Sequence, residues 1–133
     1  MSKRQEKQRL KEKSFLRSDC AVACTLDLIG DKWTLLIIRD LFFGKTRYKE
    51  FQESREGIPT NILASRLEKL EEAGLVSKTP YQERPLRHEY RLTETGRSLG
   101  PVMKSIMQWG REHIPGVRVP AELSTKRHPG ASS

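Results

Sequence analysis

Cys20 and Cys24 are the groups in this 133-residue chain whose chemistry would be most distinctive. Four residues apart, they share one face of a helix. Metal binding is not expected, because there is no further cysteine and His88, His113 and His128 are scattered. Two cysteines are too few for a disulfide framework, and a bridge between them inside an intact helix would be geometrically poor. Cys24 reads as a small buried hydrophobe. Cys20 opens its helix with Arg17 close in sequence, a setting that lowers a thiol pKa. No Gly-rich phosphate loop and no nucleophile with a nearby base is present, and the carboxylates fall in mixed charged runs. The chain is therefore not expected to be an enzyme, and no cofactor is expected.

A second constellation suits a polyanion. The formal net charge is +8, but residues 1–18 hold +5 of it and residues 116–133 hold +2, leaving +1 for residues 19–115. Bulk charge is thus weak evidence for nucleic acid, and local placement has to decide. On the segment 59–73, Leu63, Leu67 and Leu70 define one side. At roughly 100° per residue the opposite face carries Asn61, Ser65, Glu68, Lys69 and Glu72, flanked by Thr60 and Ala64. The leading half thus presents uncharged donors and acceptors with no carboxylate before Glu68, which suits entry into a major groove by the helix N-terminus. This helix is net −1 over 58–73, so phosphate attraction must come from elsewhere. Lys45, Arg47 and Lys49 precede it, and Lys78, Arg84 and Arg87 follow it, with Arg91 further along. Taken alone, the polar face is equally met by an ordinary solvated helix and the cations by plain surface charge. Arg66, at the edge of the leucine stripe, fits an internal ion pair as well as a DNA contact.

The elements that would hold these residues are readable from punctuation. CAVACTLDLI places Val22, Leu26 and Ile29 at helical spacing, with Gly30 as its stop. Asp31 can cap KWTLLIIRDLFF, which is apolar nearly all round and ends at Gly44. Thr46 can cap RYKEFQES, turning Tyr48 and Phe51 inward. Pro59 fits the first turn of TNILASRLEKLEEAG, closed by Gly74. The period then changes to two over residues 76–92, a hairpin with ERPLR as its polar turn. Thr93 can cap a last helix over about 94–114, with Leu99, Val102, Met103, Ile106, Met107 and Trp109 on a broad face. Trp33 and Trp109 are expected in the core.

The expected fold is mainly α with a small β-hairpin, in the order of a winged helix-turn-helix. Residues 1–18 form a basic arm, 19–114 the winged domain with its terminal helix, and 115–133 a Pro-, Gly- and Ser-rich tail expected to be disordered. The longest apolar run is far short of a membrane span, and the first residues carry no secretory h-region, so a cytoplasmic location is expected. The last helix is too apolar for a lone surface helix, and Val102, Ile106 and Trp109 are the expected homodimer contacts. The other reading is that the basic arm folds over it.

Residues 20–110 resemble the HxlR-type family of bacterial winged-helix transcriptional regulators, relatives of the MarR-like group. The resemblance rests on Cys20, LDLIGDKWTLLIIRDL (26–41), Phe51, GIPTNILASRLEKLEEAGLV (57–76) and YRLTETG (90–96). It implies double-stranded DNA as partner, a homodimer built on terminal helices, and a division of labour between recognition helix and wing. It also implies that a cysteine at the Cys20 position senses oxidants or electrophiles in some members; the proline that often follows it there is Ala21 here. The reading is a sequence-specific regulator, a repressor in preference to an activator, modulated by oxidant or small ligand. The competing reading is a winged helix used for protein–protein contact without specific DNA binding.

Overall fold

The computed structural model describes residues 18–120. Helix α1 spans Ala21–Ile29 and α2 spans Thr34–Phe42. A short α3, Tyr48–Gln52, leads to α4, Thr60–Glu72, and the chain then forms strands β1, Val76–Glu83, and β2, Leu86–Leu92. Two further helices follow, α5 at Glu94–Arg97 and α6 at Gly100–His113. The chain divides into two compact units, one up to Arg97 and one from Ser98.

In the first unit Ile37, Ile38, Phe51, Leu63, Leu67 and Leu70 are buried, so α2, α3 and the leucine side of α4 build the core. Two helices end as their glycines predict. Gly44 and Gly74 both adopt positive φ, 96° and 83°. After each, a pair of backbone bonds closes the helix: Lys45 N to Asp40 O and Gly44 N to Leu41 O, then Leu75 N to Leu70 O and Gly74 N to Glu71 O. These are the paired bonds of the Schellman stop, for which glycine carries the least backbone cost.

The helix starts differ in detail from expectation. Asp31 does cap α2, accepting N–H bonds from Trp33 at 2.8 Å and Thr34 at 2.7 Å, although the helix proper begins only at Thr34. Thr46 does not cap α3; Glu50 reaches back and accepts the N–H groups of Thr46 and Arg47 at 2.7 and 3.0 Å. A single carboxylate oxygen, Glu50 Oε1, takes both bonds, and its charge strengthens them. Pro59 sits just outside α4, with ψ 145°, instead of in its first turn.

The wing is a two-stranded antiparallel sheet running from Val76 opposite Leu92 to Glu83 opposite Leu86, with a register break between Pro80 and Gln82. The strands extend further into ERPLR than expected, leaving Arg84 and Pro85 at the tip. Thr93 then anchors the base: its hydroxyl donates to Gly74 O at 2.6 Å and accepts the Gly96 N–H at 3.1 Å. The single last helix expected over 94–114 is two, α5 and α6. Pro101 lacks the N–H that would continue the ladder to residue 97, and its ring excludes the preceding turn.

In the second unit, Trp109 is 60% exposed, which corrects its expected place in the core. Ile106 and Val102 are exposed beside it while Met103 is buried. Trp109 instead stacks on His113, ring centroids 4.6 Å apart. In α1, Val22 and Leu26 are exposed as well. The expectations for residues 1–17 and 121–133 lie outside the described residues.

Candidate nucleic-acid interface

Helix α4 presents its predicted face. Thr60, Asn61 and Ser65 are exposed, as are Glu68 and Glu72 further along. Behind them the helix is pinned from the other side. Arg66 Nε donates to Asp31 Oδ2 at 2.7 Å, so the internal ion pair is the alternative realised for Arg66. Burial acts to raise the Asp31 pKa, but the N–H and hydroxyl of Thr34, the Trp33 N–H and Arg66 outweigh it and hold the carboxyl below its ordinary value.

A second polar knot fixes the turn between α3 and α4. Asp40 is buried and receives Arg39 on Oδ1 at 3.0–3.1 Å and the Ser54 hydroxyl on Oδ2 at 2.5 Å. Arg39 also grips Glu56 through two bonds of 2.9 Å, which raises its own pKa and lowers that of Glu56. Lys45 donates to Ser54 Oγ at 2.9 Å and lies 4.0 Å from Asp40. A buried carboxylate is tolerated only when its charge and lone pairs are met. This knot ties the turn that leads into α4 to the end of α2.

The cations named from sequence therefore divide. Lys45 is turned toward Asp40, and Lys69 Nζ donates to the Asp27 carbonyl at 2.9 Å, which ties it to α1. Lys78 lies 3.8 Å from Glu71, and Arg47 pairs with Glu89 at 3.0 Å. Lys49, Arg84 and Arg87 have no ion pair among the described residues and are exposed. Between α3 and the wing an open groove of about 610 Å³ is lined by Arg47, Lys49, Gln52, Tyr81, Leu86 and Arg87 together with neighbouring residues. Gln52 Nε2 donates to Thr60 Oγ1 at 3.1 Å, joining that groove to the leading turn of α4. Sequence reasoning missed Gln52, Tyr81 and Glu89, because nothing in local spacing signals contacts made across the fold.

Cys20 is the exposed N-cap residue of α1. Cys24 is only half-buried, and its Sγ donates to Ser18 O at 3.1 Å, so it is not the fully enclosed hydrophobe expected. Among the described residues no group of three His, Cys, Asp or Glu could hold a metal ion, and no helix is long and apolar enough to cross a membrane.

Four helices, a short hairpin and two further helices, with an exposed polar leading turn beside a cationic groove, define a winged helix-turn-helix protein. Residues 28–117 match the HxlR-like helix-turn-helix family, and the chain belongs to that family. It is 47% identical over 95 residues to the uncharacterised HTH-type transcriptional regulator Rv3095 of Mycobacterium tuberculosis, covering 71% of this chain and 60% of that protein. The chain thus spans somewhat less than two-thirds of that relative's length. Among solved structures it is similar to PA1607, with a TM-score of 0.70 and 44% identity over 80% of this chain and 75% of that one. It is also similar to the redox regulator HypR in its oxidised form, with a TM-score of 0.65 and 36% identity over 71% of this chain and 97% of that one.

Proposed function

We propose that this chain is a sequence-specific transcriptional regulator that binds double-stranded DNA as a homodimer on an inverted repeat, acting as a repressor in the cytoplasm. The observation that carries this reading is the uncharged leading turn of α4, exposed at Thr60, Asn61 and Ser65 and joined through Gln52 to the cationic groove. In the major groove Asn61 and Ser65 offer amide and hydroxyl groups to base edges. Lys49 contacts the backbone where α3 crosses it, and Arg84 and Arg87 bring the wing to the adjacent minor groove or its phosphates.

Dimerisation is supported by the exposed Val102, Ile106 and Trp109 on one side of α6, since a lone helix rarely leaves such a stripe in water. A two-fold dimer doubles the half-site and supplies the affinity one winged domain lacks. Redox modulation through Cys20 is supported by its exposure at a helix start and by the similarity to HypR.

Genome-wide mapping of bound sites followed by footprinting tests the reading. An inverted repeat protected at two half-sites is expected. Salt-insensitive or absent DNA binding overturns it in favour of a protein–protein module.

A further inference from the structure

Arg47, named from sequence as a phosphate contact, is held by the wing itself. Its Nε and Nη2 both lie 3.0 Å from Glu89 Oε2, and its guanidinium carbon is 3.7 Å from the centre of the Tyr81 ring. The other Glu89 oxygen accepts from Arg91 at 3.0 Å. One residue earlier, the Thr46 carbonyl accepts the Tyr90 N–H at 2.8 Å. The segment entering α3 therefore grips β2 by its backbone and by Glu89, and grips β1 through Tyr81.

The residue that departs from the sheet register is Tyr81, between Pro80 and Gln82. A bulge commonly re-aims a side chain, and here the ring lies against the guanidinium. A two-stranded hairpin is marginal alone, and Ser77 to Tyr81 of β1 are exposed. Its direction is accordingly set by the contacts it makes with the body of the domain.

We propose that Arg47 is a positioning residue for the wing: stacked on Tyr81 and paired with Glu89, it sets where Arg84 and Arg87 are presented to DNA and makes no phosphate contact itself. This rests on the DNA-binding reading above. Planarity matters to both halves of the contact, since a flat guanidinium can stack and hydrogen-bond at once whereas an ammonium cannot do both.

Glu89→Gln separates the two roles by sign. It removes a negative charge from a cationic face, so electrostatics alone would tighten DNA binding. Positioning instead requires operator binding to weaken, about tenfold, together with faster amide hydrogen exchange over 79–89 in the free protein. Arg47→Lys keeps the charge, so positioning requires it to lose as much affinity as Arg47→Gln, with footprint protection lost outside the half-site. In the free protein the Arg47 side-chain N–H resonance is expected shifted upfield by the Tyr81 ring, and restored in Tyr81→Leu. Normal affinity in Arg47→Lys with a salt slope lower by about one in Arg47→Gln overturns the proposal. So does unchanged or tighter binding by Glu89→Gln. Failure of the wild-type protein to bind any DNA overturns the functional reading instead, and the free-protein measurements still decide the clamp.

Discussion

Arg66 Nε sits 2.7 Å from Asp31 Oδ2, on the carboxylate that also caps α2. One side chain thus fixes the start of the central helix and the inner edge of α4. Asp31→Ala removes acceptors for the N–H groups of Trp33 and Thr34, the Thr34 hydroxyl and Arg66. The expected loss is about 1–3 kcal/mol. Urea denaturation followed by circular dichroism should show a lower midpoint with unchanged slope.

Acid should destabilise the first unit. Asp31 is depressed by the bonds described above, Glu50 by the Thr46 and Arg47 N–H groups, Glu56 by Arg39, and Glu89 by Arg91 and then Arg47. A carboxyl whose folded pKa is lowered binds protons more readily when unfolded. Its stabilisation is therefore complete above its unfolded pKa and is lost as pH falls through the folded value. Thermal melts should hold their midpoint from neutrality to about pH 5 and fall below it. Glu50→Gln should flatten that fall.

Base reading and phosphate attraction should separate. Asn61→Ala and Ser65→Ala are expected to relax preference at individual positions of the operator, each costing roughly 1–3 kcal/mol on the cognate site. Lys49→Ala and Arg87→Ala should weaken all sequences alike and lower the salt slope by about one each. Binding titrations at several salt concentrations on cognate and scrambled duplexes measure both quantities.

The apolar side of α6 should govern assembly. Light scattering of the wild-type chain at micromolar concentration should give about twice 15.3 kDa. Ile106→Glu should give the monomer mass, because a carboxylate placed in that stripe would be buried unpaired in the dimer. A wild-type monomer would refute the assembly proposed above.

Gly96 packs so closely that a methyl group would collide with the Leu75 carbonyl. Gly96→Ala should therefore part the hairpin from α5 and lower the melting temperature by several degrees, corresponding to about 1–3 kcal/mol.

Elements built from local pattern were legible in the chain itself. The leucine stripe, the glycine stops at 44 and 74, the alternating strand from His88 to Leu92 and the exposed face of α4 follow from spacing and backbone preference, which act over a few residues. The resemblance to the family was legible as well, from motif residues such as GIPTNILASRLEKLEEAGLV (57–76). What the sequence left open was the fate of each charge. Lys45, Arg47, Lys69 and Lys78 look alike as cations, and only the folded chain sets Asp40, Glu89, the Asp27 carbonyl and Glu71 beside them. Those partners lie as far as 42 residues away, brought near by the packing of α2, α4 and the wing. Coulombic and hydrogen-bond energy depends on separation in space, so tertiary structure alone decides which cations are engaged inside the protein and which remain for a partner.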